Sequence, residues 1–106
     1  MPYSPDDLLF AARLKALAHP ARLAIMRALI NCERTTCCGD IVSSLPLAQS
    51  TVSEHLRVLS AAGLITCQPV GTRCCYQPVP EAIALLEGGL ASLRIQPLAL
   101  AESGPA

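Results

Sequence analysis

Apolar residues recur at helical spacing from the first turns of the chain. Phe10, Leu14 and Leu17 form one stripe. Ahead of them, Ser4-Pro5-Asp6-Asp7 supplies a capping hydroxyl, a proline at the first helical position and two acids in the positive first turn. His19-Pro20 ends this helix and begins another, because a proline disfavours helix in the residue before it yet suits a first turn. The second helix, from 20 to about 30, is predicted to bury Leu23, Ile25, Met26, Leu29 and Ile30 and to leave Arg22 and Arg27 polar. A polar turn covers 31–36. A short helix follows around 39–45, with Ile41 and Leu45 on one face, and Pro46 stops it.

The strongest helical pattern is "LAQSTVSEHLRVLSAAGL". Val52, Leu56 and Leu59 make a core-facing stripe, while Gln49, Ser50, Ser53, Glu54 and Arg57 occupy the other side. Gly63 is predicted as a left-handed cap, with Leu64 placed for the hydrophobic contact that follows such caps. Residues 65–70 and 73–77 read as two strands joined by Gly71-Thr72, with Pro69 marking an edge. Pro80-Glu81 opens a last helix striped by Ile83, Leu86, Leu90 and Leu93 and weakened by Gly88-Gly89. The predicted order is α-α-α-α-β-β-α, mainly α with a small β-hairpin. It makes one domain over 1–96, and a tail at 97–106 reads as disordered.

Composition narrows the class. A chain of 106 residues supports a single core, and with no Trp, one Phe and two Tyr that core must be Leu, Ile, Val and Ala. Eight basic residues balance eight acidic ones, so a nucleic-acid reading has to rest on local placement rather than a global field. No apolar run is long enough to span a bilayer, and Asp6 and Asp7 stand where an export signal needs basic residues, so a cytoplasmic protein is expected. The six cysteines include two adjacent pairs, Cys37-Cys38 and Cys74-Cys75. Adjacent cysteines do not bridge each other without strain, and a leucine-rich helical chain needs no staples, so reduced thiols are expected. Ser-His-Asp clusters, glycine-rich phosphate loops and paired carboxylates are not discernible, and an enzyme is not expected. A thiol-transfer protein is disfavoured too, because the chain lacks Cys-x-x-Cys and a strand-first α/β pattern.

A short helix, a tight turn and a longer helix that begins with small polar residues is a helix–turn–helix pattern. Ser50, Thr51 and Ser53 are small enough for close approach to the major groove. Gln49 can pair with an adenine edge, and Arg57 can reach a phosphate or a guanine. Glu54 places a negative charge on this face, where it can accept from a cytosine amine or pair with Arg57. His55 completes the candidate set. A hairpin immediately after such a helix is a wing, and Thr72 and Arg73 at its tip are candidates for backbone or minor-groove contact.

Three segments together, "LKALAHPARLAIMRAL", "DIVSSLPLAQSTVSEHLRVLSAAGLI" and "VGTRCCYQP", resemble the ArsR/SmtB family of winged helix–turn–helix repressors over about 14–78. The resemblance implies a homodimer, joined through the first and last helices, that binds a palindromic operator and releases it on sensing a ligand. Zinc-type members need Asp, His and Glu on the last helix, which here reads "EAIALLEGGLASLRI" with no His or Cys. Members that pair a cysteine of the second helix with one on the last helix are not matched either. One arsenic-sensing group carries Cys-x-Cys-Asp-Leu; here Cys37-Cys38-Gly39-Asp40-Ile41 keeps the first cysteine and moves the second.

If the segment before the short helix runs beside the wing, Cys37 and Cys38 come near Cys74 or Cys75. Alternation along a strand lets one of the latter two face them. Three such sulfurs suit a soft trivalent ion such as arsenite or antimonite. A redox switch, and structural cysteines in a plain DNA binder, are the alternatives. Cys67 and Cys32 read as packing, and His19 and His55 as structural, at the positions of the family's "AHP" and "HL".

Overall fold

The computed structural model describes residues 2–32, 42 and 45–94. Helix α1 spans Pro5–Leu17, α2 spans Pro20–Asn31 and α3 spans Gln49–Ala61. Strands β1 (Ile65–Val70) and β2 (Arg73–Pro78) form an antiparallel hairpin, and α4 (Pro80–Ala91) follows. The expected short helix at 39–45 lies outside the described residues except for Val42, which is helical and fully buried, and Leu45, which is half-buried. The expected tail at 97–106 also lies outside them.

Local chemistry places the boundaries. The Ser4 hydroxyl oxygen accepts from the Asp7 amide at 3.0 Å, so α1 starts as the capping sequence predicts. His19 has extended backbone and caps α2 through its ring, with Nδ1 accepting from the Ala21 amide at 3.0 Å. At the end of α3, Gly63 adopts φ +77°. The Leu64 amide donates to the Leu59 carbonyl and the Gly63 amide to the Ser60 carbonyl, at 3.1 and 3.0 Å, which is the paired bonding of a Schellman cap. Leu64 and Leu59 are then both fully buried in the core.

The core comprises Ala16 from α1, Ile25, Met26 and Leu29 from α2, Val42, and Val52, Leu56 and Leu59 from α3. Leu64, Ile65, Ala82 and Leu86 complete it. Phe10, Leu14 and Leu17 pack against it half-buried. Two stripes are narrower than their sequence periodicity implies. Leu23 and Ile30 of α2 are 37% and 50% exposed, because α2 turns a single narrow face inward and they flank it. On α4 the inner face is Ala82 and Leu86, while Leu90 and Leu93 are exposed at 54% and 65%.

The helix pair α1 and α4 depends on a glycine. A Cβ at Gly89 would lie 2.6 Å from the Phe10 ring, so the ring packs on bare backbone there. Gly88 faces open space. The first of these adjacent glycines is therefore spare, whereas the second permits the close approach.

Candidate nucleic-acid interface

Helix α3 sorts its residues as a DNA-reading helix must. Val52, His55, Leu56 and Leu59 face inward, and Gln49, Ser50, Thr51, Ser53, Glu54 and Arg57 are all exposed. Ala48 precedes the helix without a side-chain cap, so the first-turn amides are left to solvent or to an acceptor such as a phosphate. The wing follows after Gly63. Its register pairs Val70 with Arg73, and Gly71, at φ +65°, takes the first position of the two-residue turn, as primed hairpin turns require. Thr72 is exposed at the tip.

Glu54 resolves to one of its two expected roles. Its carboxylate takes both Arg57 Nε and the neighbouring guanidinium nitrogen in a bidentate ion pair one helical turn apart, on an exposed surface. The guanidinium holds the Glu54 carboxyl below its ordinary range, and the carboxylate raises Arg57 in return. The cation most able to reach DNA is thus partly neutralised by its neighbour.

His55 is the inward-facing member of the candidate set, as its structural reading expects. It is 8% exposed and points away from the surface made by Ser53 and Arg57, so it is not positioned to touch DNA. Its helical phase, three residues after Val52, is the reason. Arg22 Nε donates to His55 Nδ1 at 3.2 Å, and the rings of His19 and His55 lie 4.5 Å apart at 52°. Burial, then His19 and Arg22, push the His55 pKa below the ordinary value of 6.5, with Glu54 opposing more weakly.

Two further polar contacts hold α3 and were not anticipated from the sequence. Arg13 of α1 donates through Nε to the Ala62 carbonyl at 3.0 Å, placing a cation at the negative end of α3. Arg22 also reaches the Ala16 carbonyl at 3.4 Å, so one guanidinium ties the end of α1 to α3. Both arginines sit among apolar helical residues, a placement that signals an internal partner but does not name it.

The cysteines are arranged differently from expectation. Cys67 and Cys74 sit side by side across the hairpin, with their Cα atoms 5.7 Å apart, within the span that a disulfide bridges. The register sets Cys67 opposite Tyr76 and Pro69 opposite Cys74, so the two cysteines are diagonal neighbours on one face. Reduced thiols are expected because adjacent cysteines do not bridge and a leucine-rich helical chain needs no staples; Cys67 and Cys74 are a non-adjacent pair close enough to bridge. Cys67 is exposed rather than packed, and Cys75, on the opposite face, is buried. Cys32 packs half-buried against the core. Cys37 and Cys38 lie outside the described residues. Among the described residues no three His, Cys, Asp or Glu side chains gather in a metal-holding group, so a three-sulfur site has to include Cys37 or Cys38.

A helix with an exposed small-polar face, followed directly by a β-hairpin, defines a winged helix–turn–helix protein. Comparison with known proteins agrees. Residues 19–66 match the profile of the bacterial regulatory protein arsR family. The chain is 40% identical over 75 residues to the arsenical resistance operon repressor of Bacillus subtilis, covering 70% of each chain. It is 39% identical over 82 residues to the transcriptional repressor SmtB of Mycobacterium tuberculosis, covering 76% of this chain and 59% of that protein's length.

Among solved structures, a possible transcriptional regulator for arsenical resistance superposes with TM-score 0.67 at 29% identity. That match spans 89% of this chain and 96% of the other. The chain belongs to the arsR family of bacterial regulatory proteins. These relatives are named as regulators or repressors, in keeping with the expectation that the chain is not an enzyme. No helix among the described residues is long and apolar enough to cross a membrane.

Proposed function

We propose that the chain is a dimeric, DNA-binding transcriptional repressor that releases its operator in response to a thiol-reactive signal. The observation that carries the DNA reading is the strip of exposed Gln49, Ser50, Thr51, Ser53 and Arg57 along α3, flanked by a wing with Thr72 and Arg73 at its tip. Small side chains let the helix axis come close to the groove floor, and Gln49 and Arg57 have the length and donors to read base edges. The naming of relatives as repressors supports the regulatory role.

Dimerisation is the reading favoured by α1 and α4. Tyr3, Leu8, Leu9, Leu85, Leu90 and Leu93 are exposed on these two helices and their ends, an apolar surface larger than scattered residues would make. A second copy docked there would bury the sequence stripes that the monomer leaves in water, and would present two copies of α3 to successive major grooves.

For the signal, arsenite or antimonite held by Cys37, Cys38 and a wing thiol is the leading reading, supported by the relative named for arsenical resistance. Of the wing thiols, Cys74 is available to an ion only while it is not bridged to the neighbouring Cys67. Cys75 requires the ion to enter from the buried side of β2. The closeness of Cys67 and Cys74 favours a second reading, in which the signal is an oxidant or reactive sulfur species acting on wing thiols.

One experiment tests these statements together. Operator DNA from the promoter upstream of its own gene is followed by fluorescence anisotropy, and the reduced complex is titrated with arsenite, antimonite and an organic persulfide. Ser53→Glu is expected to lose operator binding while remaining folded by circular dichroism; normal binding by that variant overturns the placement of α3 in DNA. Release by the trivalent ions, absent in Cys37→Ser/Cys38→Ser, supports the three-thiol reading. Release by persulfide alone transfers the role to redox chemistry.

A further inference from the structure

His55 stands apart in the inward stripe of α3. Val52, Leu56 and Leu59 are hydrocarbon, whereas His55 is the buried polar residue found among the described ones. Its partner is a permanent cation. Arg22 cannot lose its proton under ordinary conditions, so Arg22 Nε always donates, and His55 Nδ1 can accept only while the ring is neutral. His19 is in the same condition: its Nδ1 accepts the Ala21 amide that caps α2, and its ring lies against that of His55. Two acceptor imidazoles and a guanidinium therefore meet where α1 ends, α2 begins and α3 passes over them. Arg22 joins all three elements through His55 and the Ala16 carbonyl.

We infer that His19, Arg22 and His55 form a clamp that positions the recognition helix for DNA only while His55 is neutral, so that taking up a proton at His55 releases the operator. The inference rests on the DNA-binding role of α3 proposed above. A proton on Nδ1 sets donor against donor at hydrogen-bond distance and puts two cations side by side in a part-buried seam. The charged or titratable groups acting on His55 among the described residues are His19 at the α1–α2 junction, Arg22 of α2 and Glu54 of α3 itself. Glu54 faces outward and is engaged by Arg57, so it leaves the buried repulsion uncompensated. Strain in the seam is relieved by moving α3 away from α2, and a helix displaced by even an ångström no longer seats its small residues in the groove.

The sign sets this apart from ordinary behaviour. Most protein–DNA complexes tighten as pH falls, since acids near the phosphates are neutralised; protonating Glu54 would likewise release Arg57 toward DNA. The clamp predicts the opposite. His55 has its pKa depressed in the folded chain, so the clamp is intact above the ordinary value of 6.5 and is lost as pH falls below it, through the folded value. One coupled proton per chain limits the change to about tenfold per pH unit for each chain, about a hundredfold for a dimer on its operator.

The test is operator affinity of the whole chain from pH 7.5 to 5.5 at constant ionic strength, with circular dichroism confirming the fold at each pH and the urea midpoint of the DNA-free protein measured alongside. Wild type is expected to lose affinity and urea midpoint together as pH falls. His55→Asn keeps an acceptor near the Nδ1 position without titrating in this range, and is expected to flatten both profiles. Arg22→Gln removes the permanent cation and is expected to shrink the acid loss; it serves also if His55→Asn does not fold. A wild-type affinity that stays level or rises overturns the clamp, as does an acid loss that persists in both variants. Absence of operator binding already at pH 7.5 defeats the DNA role itself, and with it this inference.

Discussion

At the scale of the residue, Glu54 is the side chain on α3 whose effect is least obvious from its type. An acid facing a polyanion is repelled, yet its immediate structural role is to hold Arg57 in a bidentate pair. Such an exposed pair contributes little to stability. Its effect falls on binding: each Arg57 that goes to a phosphate must first leave a carboxylate. Glu54→Gln is therefore expected to tighten operator binding while the urea midpoint scarcely moves. The plot of log affinity against log salt should steepen by about one unit per chain as Arg57 becomes available to displace a counterion. Unchanged slope in a salt titration would mean that Arg57 already contacts DNA with Glu54 in place.

Much of this face was legible in the sequence, and the reason is phase. Once Val52, Leu56 and Leu59 define the inward direction, Ser50, Ser53 and Arg57 must point outward, and the structure has them exposed. His55 joins the DNA-facing set only through its match to the family's "HL", and its position three after Val52 belongs to the inward arc that its structural reading expects. Two of the missed contacts are long-range. Arg13 and Ala62 are 49 residues apart, Arg22 and His55 are 33 apart, and no local pattern connects them. The Cys67–Cys74 juxtaposition required the strand register, which depends on where Gly71 turns the chain.

At the scale of elements, α1 and α4 are joined by a ring on a bare backbone. Phe10 lies so close to Gly89 that any side chain there must push the ring away. Read from sequence, Gly88-Gly89 is a weakness in a helix; in the fold, the second glycine is what allows the helices to meet. Gly88→Ala and Gly89→Ala are thus expected to differ in sign. The first adds helix propensity at an open position and should stabilise by about 0.5–1 kcal/mol. The second gains the same propensity but forces overpacking, with a net loss of about 1–2 kcal/mol. Thermal unfolding of the two variants side by side gives the answer; equal stabilisation by both would mean that Phe10 relocates without cost. The α2 stripe shows why periodicity overstated burial: a helix packed along one face leaves Leu23 and Ile30 at the margins of the contact.

At the scale of the whole molecule, the exposed leucines of α1 and α4 decide between a monomer with a greasy flank and a dimer. Leu90→Lys is expected to shift the chain from dimer to monomer in sedimentation velocity. Operator binding should weaken by far more than the loss of one favourable contact, because two recognition helices no longer arrive together. The monomeric variant should remain folded, since Leu90 is already more than half exposed within one chain. A Leu90→Lys protein that still sediments as a dimer would place the interface elsewhere. The core itself, with Ile25, Leu29, Leu59 and Leu64 at its centre, is independent of that flank.

Arg13 gives this arrangement a mechanical meaning. It springs from the helix proposed to meet the second copy, and its guanidinium grips the last carbonyl of the turn that ends α3. The outer flank and the reading helix are thus connected by one rigid strut that bypasses the hydrocarbon interior. In a dimer built on α1, the separation of the two reading helices is a length set by two such struts, like the span of a pair of callipers. A change of a few degrees in how the copies lean together would alter which pairs of grooves they can straddle, without disturbing a single residue that touches a base.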